Sequence, residues 1–312
     1  MRHTARMDLD VRALDAADLD VADEIVRDAF GTFLGTDPFG DTELLRTRFR
    51  AGHTTVLGAY SGSDVVGSTV VTRWGDVGWL GPLSVTPKLW DAGVGSRLLT
   101  ATLDVFAGWG VGHQGLFTFA HSPRHHGLYQ KFGFWPRFLT AIMSRPVAPF
   151  ESPSGLLGSA WTDRAALRAA CAAVTAAVHP GLDVGGEVDA VLDQSLGDVV
   201  LVGEPDAPSG FAVGHTGAGT EAGTGVAFVK FAAVAPGPHA RGTFERLLLA
   251  CGGWAAAAGA QRLVVGVSTA RHDAYRHLLG AGFRTDTPGV TMHRPNTPGY
   301  DHPDVLVLDD WR

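Results

Sequence analysis

The run Val85-Thr86-Pro87-Lys88-Leu89-Trp90-Asp91-Ala92-Gly93-Val94-Gly95-Ser96-Arg97-Leu98-Leu99 decides how the chain is read. It leaves a stretch of strand character, Gly78 to Val85, and enters Val94 to Trp109, which is apolar at helical spacing. The glycines turn the chain between the two. Such a turn aims several backbone N–H groups and the positive end of a helix dipole at one point, which suits a phosphate. Gly93 and Gly95 permit positive φ and close ligand approach. An ordinary strand-to-helix connection would look the same, so Gly-x-Gly alone does not choose.

A second copy of this run lies 149 residues further on, from Val234 to Leu248. At that offset Val85, Pro87 and Gly93 meet Val234, Pro236 and Gly242, and Arg97-Leu98-Leu99 meets Arg246-Leu247-Leu248. The register holds onward: Gly110 meets Gly259, Gly133-Phe134 meets Gly282-Phe283, Met143 meets Met292, and Arg145-Pro146 meets Arg294-Pro295. An unbroken register over about sixty residues marks an internal repeat. The chain therefore reads as two domains of about 150 residues, 1–147 and 158–312. The stretch 147–157, with Pro149, Pro153 and two serines, reads as the linker.

Helical and strand patterns alternate around the repeat. Asp15 to Phe30 carries Leu19, Ala22, Ile25, Val26 and Phe30 at helical spacing. Asp41 to Arg50 suggests a shorter helix capped by Asp41. Thr54–Tyr60 and Val65–Arg73 read as a hairpin. After the helix ending at Trp109 come a strand over Gly115–Ala120, a short helix over Arg124–Phe132, and two strands between Trp135 and Pro146. The second copy opens with helices over Asp163–Val178 and Glu187–Leu196, resumes strands at Val199, and has a flexible turn over His215–Gly225. The fold class is mixed α/β, an α+β mixed sheet.

The segment His126-Gly127-Leu128-Tyr129-Gln130-Lys131-Phe132-Gly133-Phe134 reads as a short helix that stops at a glycine before a strand. Together with the first run it resembles the GNAT superfamily of acyl-CoA-dependent N-acetyltransferases. That family carries V-x-P-x-x-[RQ]-x-x-G-x-[GA]-x-x-L-L, followed by a Leu-Tyr-x-x-x-Gly-Phe segment. The resemblance covers residues 8–146 and, through the repeat, 158–296 more weakly. It implies two tandem GNAT-like domains with acetyl-CoA as co-substrate. The pantetheine arm would lie along Leu83, Ser84 and Val85, where two strands splay apart. The pyrophosphate would rest on the turn Asp91, Ala92, Gly93, Val94, Gly95 and Ser96. Tyr129 takes the place of the family's general acid, which protonates the leaving thiolate. A phenol, with a pKa near 10, suits that task.

The sequence departs from the family at named positions. Trp90 stands where the family has Arg or Gln, and Asp91 adds a negative charge beside the turn. The usual Asn after the next strand is missing from His121-Ser122-Pro123-Arg124-His125-His126. No Glu occurs between Glu43 and Glu151. Asp76, His121, His125, His126 or an ordered water is left to take the amine proton, and His121, just after its strand, is the favoured base. The histidines have no neighbouring Cys and no His-Glu-x-x-His pattern, so no metal is expected. In the second copy Phe244 replaces Gly95 and Leu278 replaces Tyr129. That copy is expected to be structural: to complete a sheet, cover the cleft or shape an acceptor pocket.

Composition sets the outer limits. The 312 residues are 45% hydrophobic and 18% charged, enough apolar material for a buried core. The net charge of −7 and the absence of long basic runs argue against nucleic-acid and membrane partners. Cys171 and Cys251 are two isolated residues and form no disulfide framework. The N-terminal run has no apolar signal core, so a cytoplasmic monomer or homodimer is expected. The resemblance implies direct attack of an amine, on a small molecule or peptide, at the thioester. Two other readings stay open. One is a CoA-sensing or protein-binding module without catalysis. The other is a GNAT-fold enzyme that moves acyl groups to sulfur or oxygen, or decarboxylates an acyl-CoA.

Overall fold

The computed structural model describes residues 8–148, 155–204 and 207–311. β1 (Leu9–Ala13) leads through a single 3-10 turn into α1 (Leu19–Leu34) and α2 (Leu44–Arg50). β2 (Thr54–Ser61), β3 (Asp64–Trp74) and β4 (Val77–Val85) follow as an antiparallel meander. α3 (Val94–Trp109) crosses over to β5 (His113–Phe119), parallel to β4, and α4 (Pro123–Gln130) leads to β6 (Trp135–Pro146). The second half runs through the same order. It comprises β7 (Leu156–Leu157), α5 (Arg164–Val178), α6 (Gly185–Asp193), β8 (Gly197–Glu204), β9 (Ala207–Gly217), β10 (Gly223–Val234), α7 (Ala240–Ala257), β11 (Arg262–Ser268), α8 (His272–Gly280) and β12 (Arg284–Arg294). β13 (Val307–Leu308) has no counterpart among the described residues of the first half.

All thirteen strands join one sheet in the order β1-β2-β3-β4-β5-β12-β6-β11-β10-β9-β8-β7, with β13 on β10. The halves exchange their last long strands. β12 of the second half pairs with β5 of the first, while β6 of the first pairs with β11 of the second. β6 and β12 then pair with each other at the centre. Each half thus completes its sheet with the other's strand. A second seam is electrostatic. Arg48 on α2 donates to both oxygens of Glu187 on α6 at 2.8 Å, and Trp74 Nε1 donates to Glu187 at 2.9 Å. Arg48 also pairs with Glu221, which holds Lys230 at 3.0 Å. Burial opposes the charge on Glu187, yet Arg48 and His53 hold its carboxyl well below the usual range. Removing one member of such a buried cluster leaves an uncompensated charge, which destabilises the joint between the halves.

Several local expectations change. The helix expected over Asp41–Arg50 begins only at Leu44, and Asp41 does not cap it. Asp41 instead accepts from the Thr224 backbone at 3.0 Å and from its hydroxyl at 2.5 Å, clasping the β9–β10 turn of the other half. The two strands expected between Trp135 and Pro146 are one unbroken strand, because β6 has a partner on each side. His215–Gly225 is not a flexible turn throughout: its ends belong to β9 and β10, and His215 is buried. Residues 149–154 of the expected linker lie outside the described residues. Leu156 and Leu157 pair with Leu201 and Val200 as an edge strand.

Candidate functional site

β4 and β5 pair in parallel only from Val77/His113 to Leu80/Leu116. Beyond that point β4 stays on β3, through Leu83, Ser84 and Val85, and β5 stays on β12 up to Phe119. The two strands therefore part into a V with its apex at Leu80 and Leu116. A bulge in β4 at Gly81-Pro82 sets the strand's direction there. The phase of the ladder decides which backbone groups face the opening. Thr86 N–H donates to the Val66 carbonyl at 2.9 Å, so Val85 and Gly67 form a non-hydrogen-bonded pair. The N–H and C=O of Val85 consequently point away from β3 and into the V, as do those of Leu83 two residues earlier.

α3 begins where β4 ends. Gly93 caps it with φ 88, a conformation that costs a side-chain-bearing residue energy. A Cβ on Gly95 would sit 3.5 Å from Leu128 and 3.8 Å from Leu83, so a large side chain there would fill the space between turn and strand. The first amides of α3 face this space. Trp90 and Asp91, the two departures, have partners. Trp90 Nε1 donates to the Val85 carbonyl at 2.8 Å, which bridges the two ends of the turn. Asp91 lies in the left-handed region at φ 67 and pairs with Arg124 at 3.0 Å, while Arg124 covers the Trp90 ring at 5.1 Å. Arg124 offsets the charge of Asp91, although both side chains are exposed and the pair itself contributes little stability.

Tyr129 is buried on α4, in the core that also holds Leu80, Val85, Leu98 and Leu116. Burial pushes its phenol up, so it stays protonated throughout the neutral range. Its hydroxyl has no hydrogen-bond partner among the described residues. His121 follows β5 and is exposed, its ring stacked on Phe33 at 5.8 Å and 15°. His125 lies against Phe33 and Phe119. Burial, aided by Arg124, lowers its pKa, so it is neutral at pH 7. His126 contacts the Phe119 carbonyl at 3.2 Å. Asp76 belongs elsewhere. It precedes β4 at the paired end, about 16 Å from Gly81 at ~3.3 Å per residue, and its carbonyl accepts from Gly112 and His113. Leu83, Ser84, Val85, the 91–96 turn and Tyr129 therefore gather at the open end of the V, with His121 on the strand end opposite β4.

The equivalent V of the second half is occupied. β10 and β11 pair from Val226/Arg262 to Val229/Val265 and then separate. β13 enters the gap, with Ala232 opposite Leu308 and Ala233 opposite Val307. Val234 N–H, the equivalent of Val85 N–H, donates to the Leu306 carbonyl at 3.1 Å. Phe244, in the place of Gly95, is fully buried and its ring meets His277 at 5.9 Å. Sequence reasoning caught Phe244 and Leu278 but missed the plug. Val305 to Leu308 is too short and uniformly apolar to announce a strand. Two surface grooves lie away from the first V. One, of about 540 Å³, sits on the seam between Arg50, Arg73 and Arg168; the other, of about 470 Å³, lies at the start of α7 beside His239 and Gly242.

Known proteins share this fold. Residues 21–134 match the family model described as Acetyltransferase (GNAT) family. Over that span the sequence is similar to the GNAT acetyltransferases, a family whose chemistry is acyl transfer from coenzyme A. No curated protein matches the chain significantly. Among solved structures it is similar to a candidate acetyltransferase from Pyrococcus horikoshii, at 16% identity and a TM-score of 0.66, covering 96% of this chain and 93% of that one. A GCN5-related N-acetyltransferase from Sphaerobacter thermophilus gives 16% identity and a TM-score of 0.60, covering 91% and 95%. One from Kribbella flavida gives 16% and 0.54, covering 94% and 72%. At these identities the likeness is one of fold, and it extends over both halves. No helix among the described residues is long and apolar enough to cross a membrane.

Proposed function

We propose that the chain is an acyl-CoA-dependent N-acyltransferase with a single working site, the V between β4 and β5. One observation carries this reading: the V presents the backbone groups of Leu83 and the N–H of Val85, unpaired among the described residues, beside the glycine turn that starts α3. An arm with two amides needs such an edge, and a pyrophosphate needs such a turn. Asp91, Ala92, Gly93, Val94, Gly95 and Ser96 hold the phosphates through backbone donors, with Arg124 offsetting Asp91. Leu83, Ser84 and Val85 line the arm. The chain divides into copies 1–147 and 158–312, of which the second is a wall and a partner for strand exchange.

The amine nitrogen attacks the thioester carbonyl carbon, and the carbon–sulfur bond breaks. Backbone N–H groups of the splayed β4 hold the oxygen as its charge grows. Tyr129 donates a hydrogen bond, then its proton, to the departing sulfur. His121, directly or through water, removes the proton from the amine nitrogen, and solvent returns a proton to Tyr129. The buried phenol suits a donor that must not ionise beforehand. The acceptor is a small-molecule or peptide amine that reaches the V from the face carrying α1 and α2.

The test is an amine panel with acetyl-CoA, read by product mass. A product heavier by one acetyl group, with free CoA released, supports the reading. Acetyl-CoA binding with no transfer to any amine, thiol or alcohol would favour a CoA-sensing module instead.

A further inference from the structure

The C-terminal segment does more than fill the second V. After β13 it continues to Trp311, which lies across the apex of the first V. The ring packs over Gly115 on β5, where any Cβ would overlap it. The Trp311 carbonyl lies 3.7 Å from where a Cβ on Gly81 of β4 would stand. The two strands that part at the apex thus each carry a glycine: the Trp311 ring occupies the space Gly115 leaves, and its backbone carbonyl lies in contact range beside Gly81. Trp311 packs with Trp74 and Trp79 in the core that also holds Leu167 of α5 and Val188 of α6, rather than with the Leu80 and Leu116 core beneath α3.

Trp311 is also fixed. Its Nε1 donates to the Tyr300 hydroxyl at 3.0 Å, and Tyr300 donates to Asp309 at 3.0 Å. Buried Arg271 pairs with Asp309 at 3.0 Å and with Asp301 at 2.7 Å, and donates to the Val307 carbonyl at 3.2 Å. The same anchor holds β13 in the second V and Trp311 on the first.

We propose that Trp311 gauges acyl length, limiting the transferred group to a short acyl chain by closing the apex against Gly81 and Gly115. This rests on the first V holding acyl-CoA. With the pyrophosphate on the 91–96 turn and the arm along Val85 to Leu83, the acyl end points toward Gly81 and the apex. A longer chain must then displace a Trp held by a buried network.

The probes are CoA, acetyl-CoA, butyryl-CoA and hexanoyl-CoA, titrated calorimetrically into the full-length protein. In the wild type, affinity falls at least tenfold from acetyl- to butyryl-CoA. Trp311→Ala brings butyryl-CoA to within threefold of acetyl-CoA and leaves CoA affinity unchanged. Trp311→Phe gives an intermediate ratio. Equal wild-type affinity for acetyl- and hexanoyl-CoA overturns the gauge without recourse to any variant. So does an unchanged chain-length ratio in a folded Trp311→Ala that still binds CoA. Failure of every CoA species to bind the wild type overturns the site reading itself, and the gauge with it.

Discussion

The V between β4 and β5 and the V between β10 and β11 are built alike, but only the second is filled by the chain's own β13. In the first, Val85 N–H faces an opening. In the second, Val234 N–H is satisfied by the Leu306 carbonyl of the chain's own C-terminal segment. A splayed sheet edge buries polar backbone groups that must find partners. In the proposed function the first V leaves that task to a ligand with amides of its own. The second performs it permanently with a peptide. The difference extends to the turn, where Gly95 leaves space and Phe244 fills it, and to α4 and α8, where Tyr129 is matched by Leu278. A duplicated site can thus become a structural joint by occupying its ligand groove with protein.

Substitutions can break this contrast. The largest effect is expected from Gly95→Phe, which installs the second half's residue in the first. A ring filling the space between turn and strand should weaken acetyl-CoA binding about 100-fold or more. Thermal unfolding should change little, because the Cβ position is in ordinary contact with its neighbours. Tyr129→Phe comes next. It should lower kcat about 100-fold while KM for acetyl-CoA stays within about threefold, the pattern of a lost proton donor. An unchanged kcat would remove Tyr129 from the chemistry. The smallest effect is that of Trp90→Phe, which deletes the bond to the Val85 carbonyl. A loss of about 1 kcal/mol, or roughly fivefold in acetyl-CoA affinity, is expected from one hydrogen bond in a half-buried turn.

Much of the first V was legible locally. The expected helix from Val94 to Trp109 is the observed α3, because Gly93 and Gly110 bound it and its apolar residues keep one period. The parting of β4 and β5 was anticipated only through family resemblance. No local signal says where two parallel strands separate. The strand exchange was not legible at all. β6 and β12 alternate in the same way whichever half they pair with, and partner choice rests on contacts far apart in sequence. Asp41 shows the same limit. Its type and place suggest a helix cap, but a tertiary partner, Thr224, competes for the same carboxylate and wins. Trp90 looked like a defect in the motif because its indole N–H finds Val85 only after the turn has closed.

The central claim is one open groove and one plugged groove per chain. Calorimetric titration of the wild-type protein with acetyl-CoA tests it most directly through stoichiometry. The account predicts one site per chain, lost in Gly95→Phe and unaffected by Phe244→Gly, since β13 still fills the second V. Two sites per chain, or one site that survives Gly95→Phe, would contradict it.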